Sequence, residues 1–407
     1  MRIAFISYEY EGVVSGGGIG TYVRHAAKML NERGHDVSVF TNGNIVGRRK
    51  GTGGTVYTVA STHENFSSTV LPIFSACHAA TPFDVIETAE YGADAANVFA
   101  RYPNIARVVK LHTPSFIISD INFSYVSSMR KARFILGETR RGRWPKPFWV
   151  YDPEGDQERL CTLSADVVTV PSIAIAERVQ PIWNLRSSSI IHVANVFTPS
   201  PALLRVSPDT RTQRVTFVGK LEPRKGVIEL ARAIPIVLRD RPNTKIRIVG
   251  RSLQHPDNGE ELKQYMQRVL GRHVVQVEFI EGVPSDEIPR LLEETDICVF
   301  PSVWENFPYV CLEAMAAARG VIGSSAGGMA EIIEHGRTGL VVPPRDHKAI
   351  AKAIVKLLDN HRLRIGLGSN ARDRVLRTYG PGVVAPLQEA SYARAIEAAR
   401  QRVYLNV

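Results

Sequence analysis

The chain has 407 residues, too many for one ordinary hydrophobic core, so two domains of roughly 200 residues each are expected. Apolar residues make up 44% and charged residues 22%, a normal globular composition, and no uninterrupted apolar stretch approaches the roughly 18 residues that a membrane span needs. The formal net charge of +10 favours anionic partners, but no nucleic-acid recognition motif accompanies it, so no nucleic-acid partner is expected. Cys77, Cys161, Cys298 and Cys311 show no paired spacing and lie in apolar surroundings. Buried reduced thiols in a cytoplasmic protein are the expectation, with no metal site. The N-terminus enters a strand directly, without a cleavable leader pattern.

In chain order, Arg2 to Ser7 is β-branched and aromatic and predicts a strand. The glycines of Ser15 to Gly20 follow, and then a helix with Val23, Ala26, Ala27 and Leu30 on one face, ended by Gly34. Strand, glycine loop and helix is the phosphate-approach arrangement of a doubly wound fold, although such a turn also serves as a plain connection. The spacing is not G-x-G-x-x-G and no acidic residue follows the next strand, which argues against a nicotinamide enzyme. Further strands are predicted at 56–60, 84–89, 107–112, 166–171 and 189–195, alternating with helical segments. That alternation implies a parallel sheet covered on both faces, with ligands outside the carboxyl ends of its strands. Glu87, Glu90 and Tyr91 cluster at one such end, as candidates for acceptor hydroxyls or for structural roles, and His112 closes another.

Between Arg130 and Lys146, seven basic residues face the single Glu138, with Phe134, Ile135, Leu136, Trp144, Phe148 and Trp149 in or beside the run. A solvated basic face explains the charges. The basic and aromatic mixture also fits an anionic acceptor or peripheral contact of 130–149 with membrane headgroups. A long insertion at this place is expected to form a substrate lid. Prolines and serines in Thr198 to Asp209 mark a linker, which sets domains at 1–200 and 201–380, with a final amphipathic helix in 381–407. The second domain opens with strand, turn and helix. Arg224 and Lys225 lie in the turn, two cations that suit a diphosphate beside a helix N-terminus. A polar helix from Asn258 and strands at 245–250 and 277–282 come next, followed by the apolar run that ends at Phe300.

Pro301 to Gly320, PSVWENFPYVCLEAMAAARG, organises the rest. Pro308 is expected at the first helical position and Arg319-Gly320 at the end of the helix. Amides near Phe307, Tyr309 and Val310 then point out of a helix N-terminus, where phosphate binds readily. Glu305 and Glu313 frame that terminus. A carboxylate repels phosphate, so both suit neutral hydroxyls on either side of a diphosphate, which describes a sugar nucleotide. The E-x7-E spacing, the PSxxE-x-FP-x-x-x-LEAMA context and the G-x-L-x-x-x-K-G match at Gly219, Leu221, Lys225 and Gly226 resemble the GT4 family of retaining glycosyltransferases.

The resemblance spans nearly the whole chain and is weakest over 115–160. It implies an α/β GT-B architecture: two Rossmann-like domains with parallel sheets facing across a cleft, and a C-terminal helix crossing back to the first domain. The first domain would bind acceptor and the second the nucleotide sugar, most commonly a UDP sugar in this family. By the same resemblance Glu313 holds the ribose, while Glu305 and His112 contact the donor sugar. Arg224 and Lys225 take the diphosphate, with Gly17 and Gly18 meeting it from the other domain, and the backbone of Gly282 and Val283 pairs with the base. Pro308 lies among the donor-binding residues. The related enzymes usually carry Asn-Gly-x-Asp before the linker; this chain has Asn195-Val196-Phe197-Thr198, so no role passes to the missing residues. No Asp-x-Asp is placed for a metal and no cofactor is expected. The implied acceptor is a sugar, a lipid-linked or anionic molecule, or a small metabolite, met in the cytoplasm or at the inner face of a membrane. A GT-B sugar-nucleotide epimerase and a non-catalytic nucleotide-sugar-binding protein are the competing readings.

Overall fold

The computed structural model describes residues 1–10, 12–13 and 17–405, with side chains to residue 402. The chain forms two compact units. One comprises Met1–Ser115, Asp152–Thr198 and Thr378–Val407, and the other Phe116–Tyr151 and Pro199–Arg377. The chain passes from the first unit to the second at Thr198–Pro199, and Phe116–Tyr151 groups with the second unit. Side-chain chemistry accounts for this. Tyr125 Oη donates to Glu229 Oε1 at 3.0 Å, the Arg345 guanidinium lies 4.5 Å from the Tyr125 ring centre, and Asp257 accepts from both the amide and hydroxyl of Ser127. Glu229 is buried, and a buried carboxylate without partners would cost several kcal/mol, so these contacts hold the insertion where it lies.

The first unit is built on an eight-stranded sheet: β1 (Arg2–Ile6), β2 (Asp36–Asn42), β3 (Gly47–Gly51), β4 (Gly54–Val59), β5 (Val85–Ala89), β6 (Ala106–Lys110), β7 (Val167–Val170) and β8 (Ile190–His192). Its order is β3-β4-β2-β1-β5-β6-β7-β8, parallel except for β3, which pairs antiparallel with β4 at the edge. Sequence patterning does not reveal β3, because GRRKG is exposed throughout and has poor strand propensity. β1 and β5 are buried almost continuously, as strands covered on both faces must be. The last helix, Pro381–Leu405, lies in this unit and is tied to the sheet through Glu87. That carboxylate accepts from Tyr22 Oη (2.5 Å), Tyr392 Oη (2.7 Å) and Gln388 Nε2 (2.5 Å).

The second unit carries a six-stranded parallel sheet, β9 (Arg214–Val218), β10 (Lys245–Val249), β11 (Val277–Ile280), β12 (Ile297–Phe300), β13 (Gly320–Ser324) and β14 (Leu340–Val342), in the order β11-β10-β9-β12-β13-β14. The helix Val227–Asp240 buries Val227, Leu230, Ala231, Ile234, Val237 and Leu238 against this sheet, the face expected from its spacing. Each such aliphatic side chain is worth roughly 1.5–3 kcal/mol when fully buried. The expected polar helix from Asn258 begins later, at Leu262–Leu270, because the residues before it form a turn closed by a bridge between Gln254 and Glu261.

Two details of the central element differ from expectation. Its helix is Tyr309–Ala316, with extended Pro308 as N-cap rather than first helical residue. It stops three residues early: Ala318 takes the positive φ of +55°, and Gly320 already starts β13. The buried Arg319 guanidinium causes the early stop, since it binds the carbonyls of Ala317, Thr295 and Ser207 and the Thr210 hydroxyl, pinning this turn to the linker.

Candidate active site

In a doubly wound sheet the chain leaves one strand toward one edge and returns to start the other half, opening a crevice between the two loops. In the second unit this switch falls between β9 and β12. The loop after β9 bears Arg224 and Lys225, and the loop after β12 leads into the Tyr309–Ala316 helix. Gly226 permits the two loops to touch: its φ is +72°, and a Cβ there would lie 1.9 Å from the Pro301 carbonyl oxygen. The β13 loop joins at Gly327, whose Cβ would meet the Glu305 carbonyl oxygen at 2.2 Å, and Gly328 donates its amide to that oxygen at 2.9 Å.

The side chains follow this scaffold. Arg224 Nη1 donates to Glu305 Oε1 at 3.2 Å and Arg224 Nη2 to Glu222 Oε1 at 2.7 Å, while Lys225 Nζ pairs with Glu305 Oε2. The Val303 amide donates to the Arg224 carbonyl at 2.8 Å, which locks the cation-bearing turn to the loop before the helix. Burial pushes the Glu305 carboxyl up, yet the charges of Arg224 and Lys225 outweigh it and hold it below the usual carboxylate range. Burial works against the Arg224 guanidinium, and Glu305 and Glu222 more than restore its charge. Two cations and two carboxylates thus balance, a buried arrangement that an incoming anion would unbalance. Glu222 escaped the sequence reading, although it stands two residues before Arg224 in the same turn.

The first intrahelical bonds of Tyr309–Ala316 run from Cys311 and Leu312 to the Pro308 carbonyl. The loop that leads into this helix carries Glu305, the partner of both cations, four residues ahead of Tyr309. Phe307 and Tyr309 are buried, Val310 and Glu313 half-buried. Gly219 follows β9, where a Cβ would meet the Phe217 ring at 3.4 Å, with the Lys225 side chain at 4.0 Å. At the far strand of the crevice, Gly282 and Val283 follow β11. Beside them opens a cavity of about 290 Å³ lined by Gly250, Arg251, Lys263, Phe279 and Glu281.

The first unit has its own switch, between β1 and β5. Gly17 sits at the start of the helix Gly18–Glu32, and its amide donates to Glu9 Oε2 at 3.1 Å; Gly18 has open space where a Cβ would stand. His112 donates its amide to both oxygens of Glu90, at 2.9 and 2.7 Å. Burial, with help from Lys110, lowers the His112 imidazole to about 3, so it is neutral at ordinary pH. Lys110 is itself lowered to about 7 by burial, partly opposed by Glu87. Glu87 and Glu90 are 1% and 0% exposed. Their oxygens accept from buried tyrosine, glutamine and backbone donors. Tyr91 is half-buried and stacks on His63 with ring centres 5.4 Å apart. Ser15 and Gly16, in the glycine-rich stretch, lie outside the described residues.

Two doubly wound units, one with a cation pair joined through Glu305 to the loop ahead of a helix at its switch point, define an α/β class whose ligands sit outside the carboxyl ends of the strands. Comparison with known proteins narrows it. The model of "Glycosyl transferases group 1" matches residues 205–374 and that of "Glycosyl transferase 4-like domain" residues 17–196. A D-inositol 3-phosphate glycosyltransferase of Corynebacterium urealyticum is 25% identical over 409 residues, covering 93% of this chain and 92% of the relative. Among solved structures, a sucrose-phosphate synthase from Thermosynechococcus elongatus superimposes with a TM-score of 0.73 at 21% identity, over 98% of this chain and all of the other. HepE of Anabaena in complex with UDP gives 0.66 at 16% identity, over 96% of this chain and 99% of the other. The chain belongs to the GT4-type glycosyltransferases of GT-B fold.

Proposed function

We propose that the protein is a retaining, metal-independent hexosyltransferase that uses a nucleotide diphosphate sugar, with UDP as the nucleotide, and transfers the sugar to a hydroxyl of a sugar, lipid-linked or small-molecule acceptor. The observation that carries this reading is the convergence of Arg224 and Lys225 on Glu305 in the loop that opens the Tyr309–Ala316 helix. A diphosphate arriving there takes the cation pair and the helix amides, and Glu305 is released toward the donor sugar. Glu313 lies one turn into the helix and in this reading holds the ribose. As the glycosidic carbon–oxygen bond breaks, charge grows on the β-phosphate, where Arg224 and Lys225 stabilise it; preorganised donors of this kind contribute several kcal/mol. The acceptor oxygen bonds to the anomeric carbon on the face the nucleotide leaves, and its proton passes to the departing phosphate. The chain supplies from side chains the positive charge that a divalent cation would otherwise bring, so chelation with EDTA leaves turnover unchanged. The UDP complex of the HepE neighbour supports the choice of nucleotide.

The Ser128–Arg140 helix has no buried residue, exposes Met129, Ile135 and Leu136, and is followed by Trp144 at 91% exposure. We place this basic, apolar face on an anionic bilayer, in keeping with a lipid-linked acceptor. It is expected to bind phosphatidylglycerol-containing vesicles in a sedimentation assay and not neutral ones; equal binding to both counts against it.

The function is tested by thermal shift with UDP, GDP and ADP sugars, followed by mass spectrometry of products. Stabilisation by a UDP sugar and a mass gain of one hexose on an acceptor are expected. Conversion of the donor to its epimer without acceptor would move the assignment to an epimerase.

A further inference from the structure

Phe116–Tyr151 is entered from the first unit and left toward it, yet it groups with the second. It contains most of the helix Ser115–Ser124 and all of the helix Ser128–Arg140, and the turn between them is its anchored part. Tyr125 packs half-buried against the core of the second unit, and its Oη donates to Glu229 Oε1 at 3.0 Å. The other oxygen of the buried Glu229, Oε2, has no hydrogen-bond partner. The Arg345 guanidinium lies 4.5 Å from the Tyr125 ring centre and donates to Ser124 Oγ at 2.6 Å. Arg345 has a φ of +62°, a left-handed conformation that a residue other than glycine keeps only where its surroundings hold it. Next to it, Asp257 accepts the Ser127 amide and hydroxyl at 2.9 and 3.0 Å, and Arg130 Nη1 donates to the Pro256 carbonyl at 2.6 Å.

These partners stand on three loops at one end of the sheet. Glu229 is in the first turn of the helix Val227–Asp240, which directly follows the cation-bearing turn. Pro256 and Asp257 lie in the loop after β10, which also supplies Gly250, Arg251 and Ser252 to the cavity of about 290 Å³. Arg345 lies in the loop after β14. All three loops leave the carboxyl ends of parallel strands, where such a sheet binds its ligands. Beyond Arg130 the hold is slight, since the Ser128–Arg140 helix has no buried residue. A segment fastened by a few polar contacts at one turn opens at less cost than one packed into the core.

We propose that Phe116–Tyr151 is a lid on the nucleotide crevice of the second unit, latched by Tyr125 to Glu229 and Arg345, and that nucleotide enters and leaves when the latch opens. The proposal rests on the transferase reading in taking this crevice as the nucleotide site. Shut, the lid slows exchange of the nucleotide with solvent and keeps water from the donor. Opening takes from Glu229 its hydrogen bond to Tyr125, and that loss favours closing again. Tyr125, Glu229 and Arg345 act through the position of the lid and take no part in bond making.

The full-length protein is compared with two variants. Tyr125→Phe keeps the ring and removes only the hydroxyl; Arg345→Gly changes an exposed side chain at a position whose positive φ suits glycine. Hydrogen exchange of peptides covering 116–140 is read by mass spectrometry, and association and dissociation of UDP, GDP and ADP by surface plasmon resonance. Both variants should exchange about fivefold faster over 116–140, with β9 to β13 unchanged. For the nucleotide that binds, kon and koff should rise together by about tenfold and Kd should stay within about threefold, as removal of a gate requires. Unchanged exchange over 116–140 in both variants overturns the latch. Faster exchange with unchanged kon and koff, or a change confined to Kd through koff, overturns the lid. These rate changes in a protein that transfers no sugar would remove the transferase reading and leave the lid standing. Failure of all three nucleotides to bind the wild type removes both.

Discussion

The two units present the same kind of crevice with opposite chemistry. At the β9/β12 switch, Arg224 and Lys225 hold Glu222 and Glu305, the latter in the loop that leads into the Tyr309–Ala316 helix. At the β1/β5 switch, Glu9, Glu90, Asp94 and Glu158 gather around backbone amides, with aromatic rings above. Parallel winding produces both crevices, since loops part wherever strand order reverses. Which ligand each accepts is a matter of a few side chains on those loops. In the function proposed above, a diphosphate belongs with the first set. The fold is shared by enzymes of many specificities for this reason.

The contrast breaks most directly at the cation pair. Arg224→Ala combined with Lys225→Ala should lower kcat by more than about a hundredfold, the scale seen when oriented charge is removed from a developing anion. Steady-state kinetics at saturating donor checks this, and near-normal turnover would refute the role. Glu313→Ala should weaken binding of free UDP by about tenfold in calorimetry, the worth of roughly one hydrogen bond to a charged group. Glu305→Gln sharpens the comparison in the opposite direction. Removing the carboxylate that occupies Arg224 and Lys225 should tighten free UDP several-fold while slowing transfer, because the cations lose a competitor and the donor sugar loses an acceptor. Equal loss of both would mean that Glu305 only supports the loop.

The smallest effect concerns the acidic crevice. Asp94 has a folded-state pKa of about 7, above its ordinary value of 3.8, so the native state holds its proton more tightly. That contribution is present in full below pH 3.8 and is lost as pH rises through about 7. The melting temperature of the wild type should therefore fall more between pH 5 and pH 8 than that of Asp94→Asn, by a few degrees in differential scanning fluorimetry. Parallel pH profiles for the two proteins would show that Asp94 carries no such load.

Much of this molecule is legible residue by residue. Alternating apolar runs and helical faces mark most strands, because a parallel strand must be buried on both sides and a covering helix on one. Arg224, Lys225, Glu305 and Glu313 announce themselves because they stand in short loops and a helix start, where local chain geometry dictates what they can reach. Glu222 was overlooked in the same turn, since a single glutamate carries no spacing signal. β3 and the early end of the Tyr309–Ala316 helix were illegible for a different reason: one is an exposed edge of arginine and glycine, and the other is set by Arg319 reaching Ser207 and Thr210, over a hundred positions away.

Periodicity and contacts within a few residues are enough to set the doubly wound order of elements and the cation-bearing turn. Only the folded chain shows that Phe116–Tyr151 joins the second unit, that Glu87 is spent on holding the final helix, and that His63, Asp94 and Glu158 pack closely around Gly92. Those groupings unite residues from separate strands and helices, and a carboxylate becomes a structural tie or a ligand contact only through the neighbours that folding brings to it.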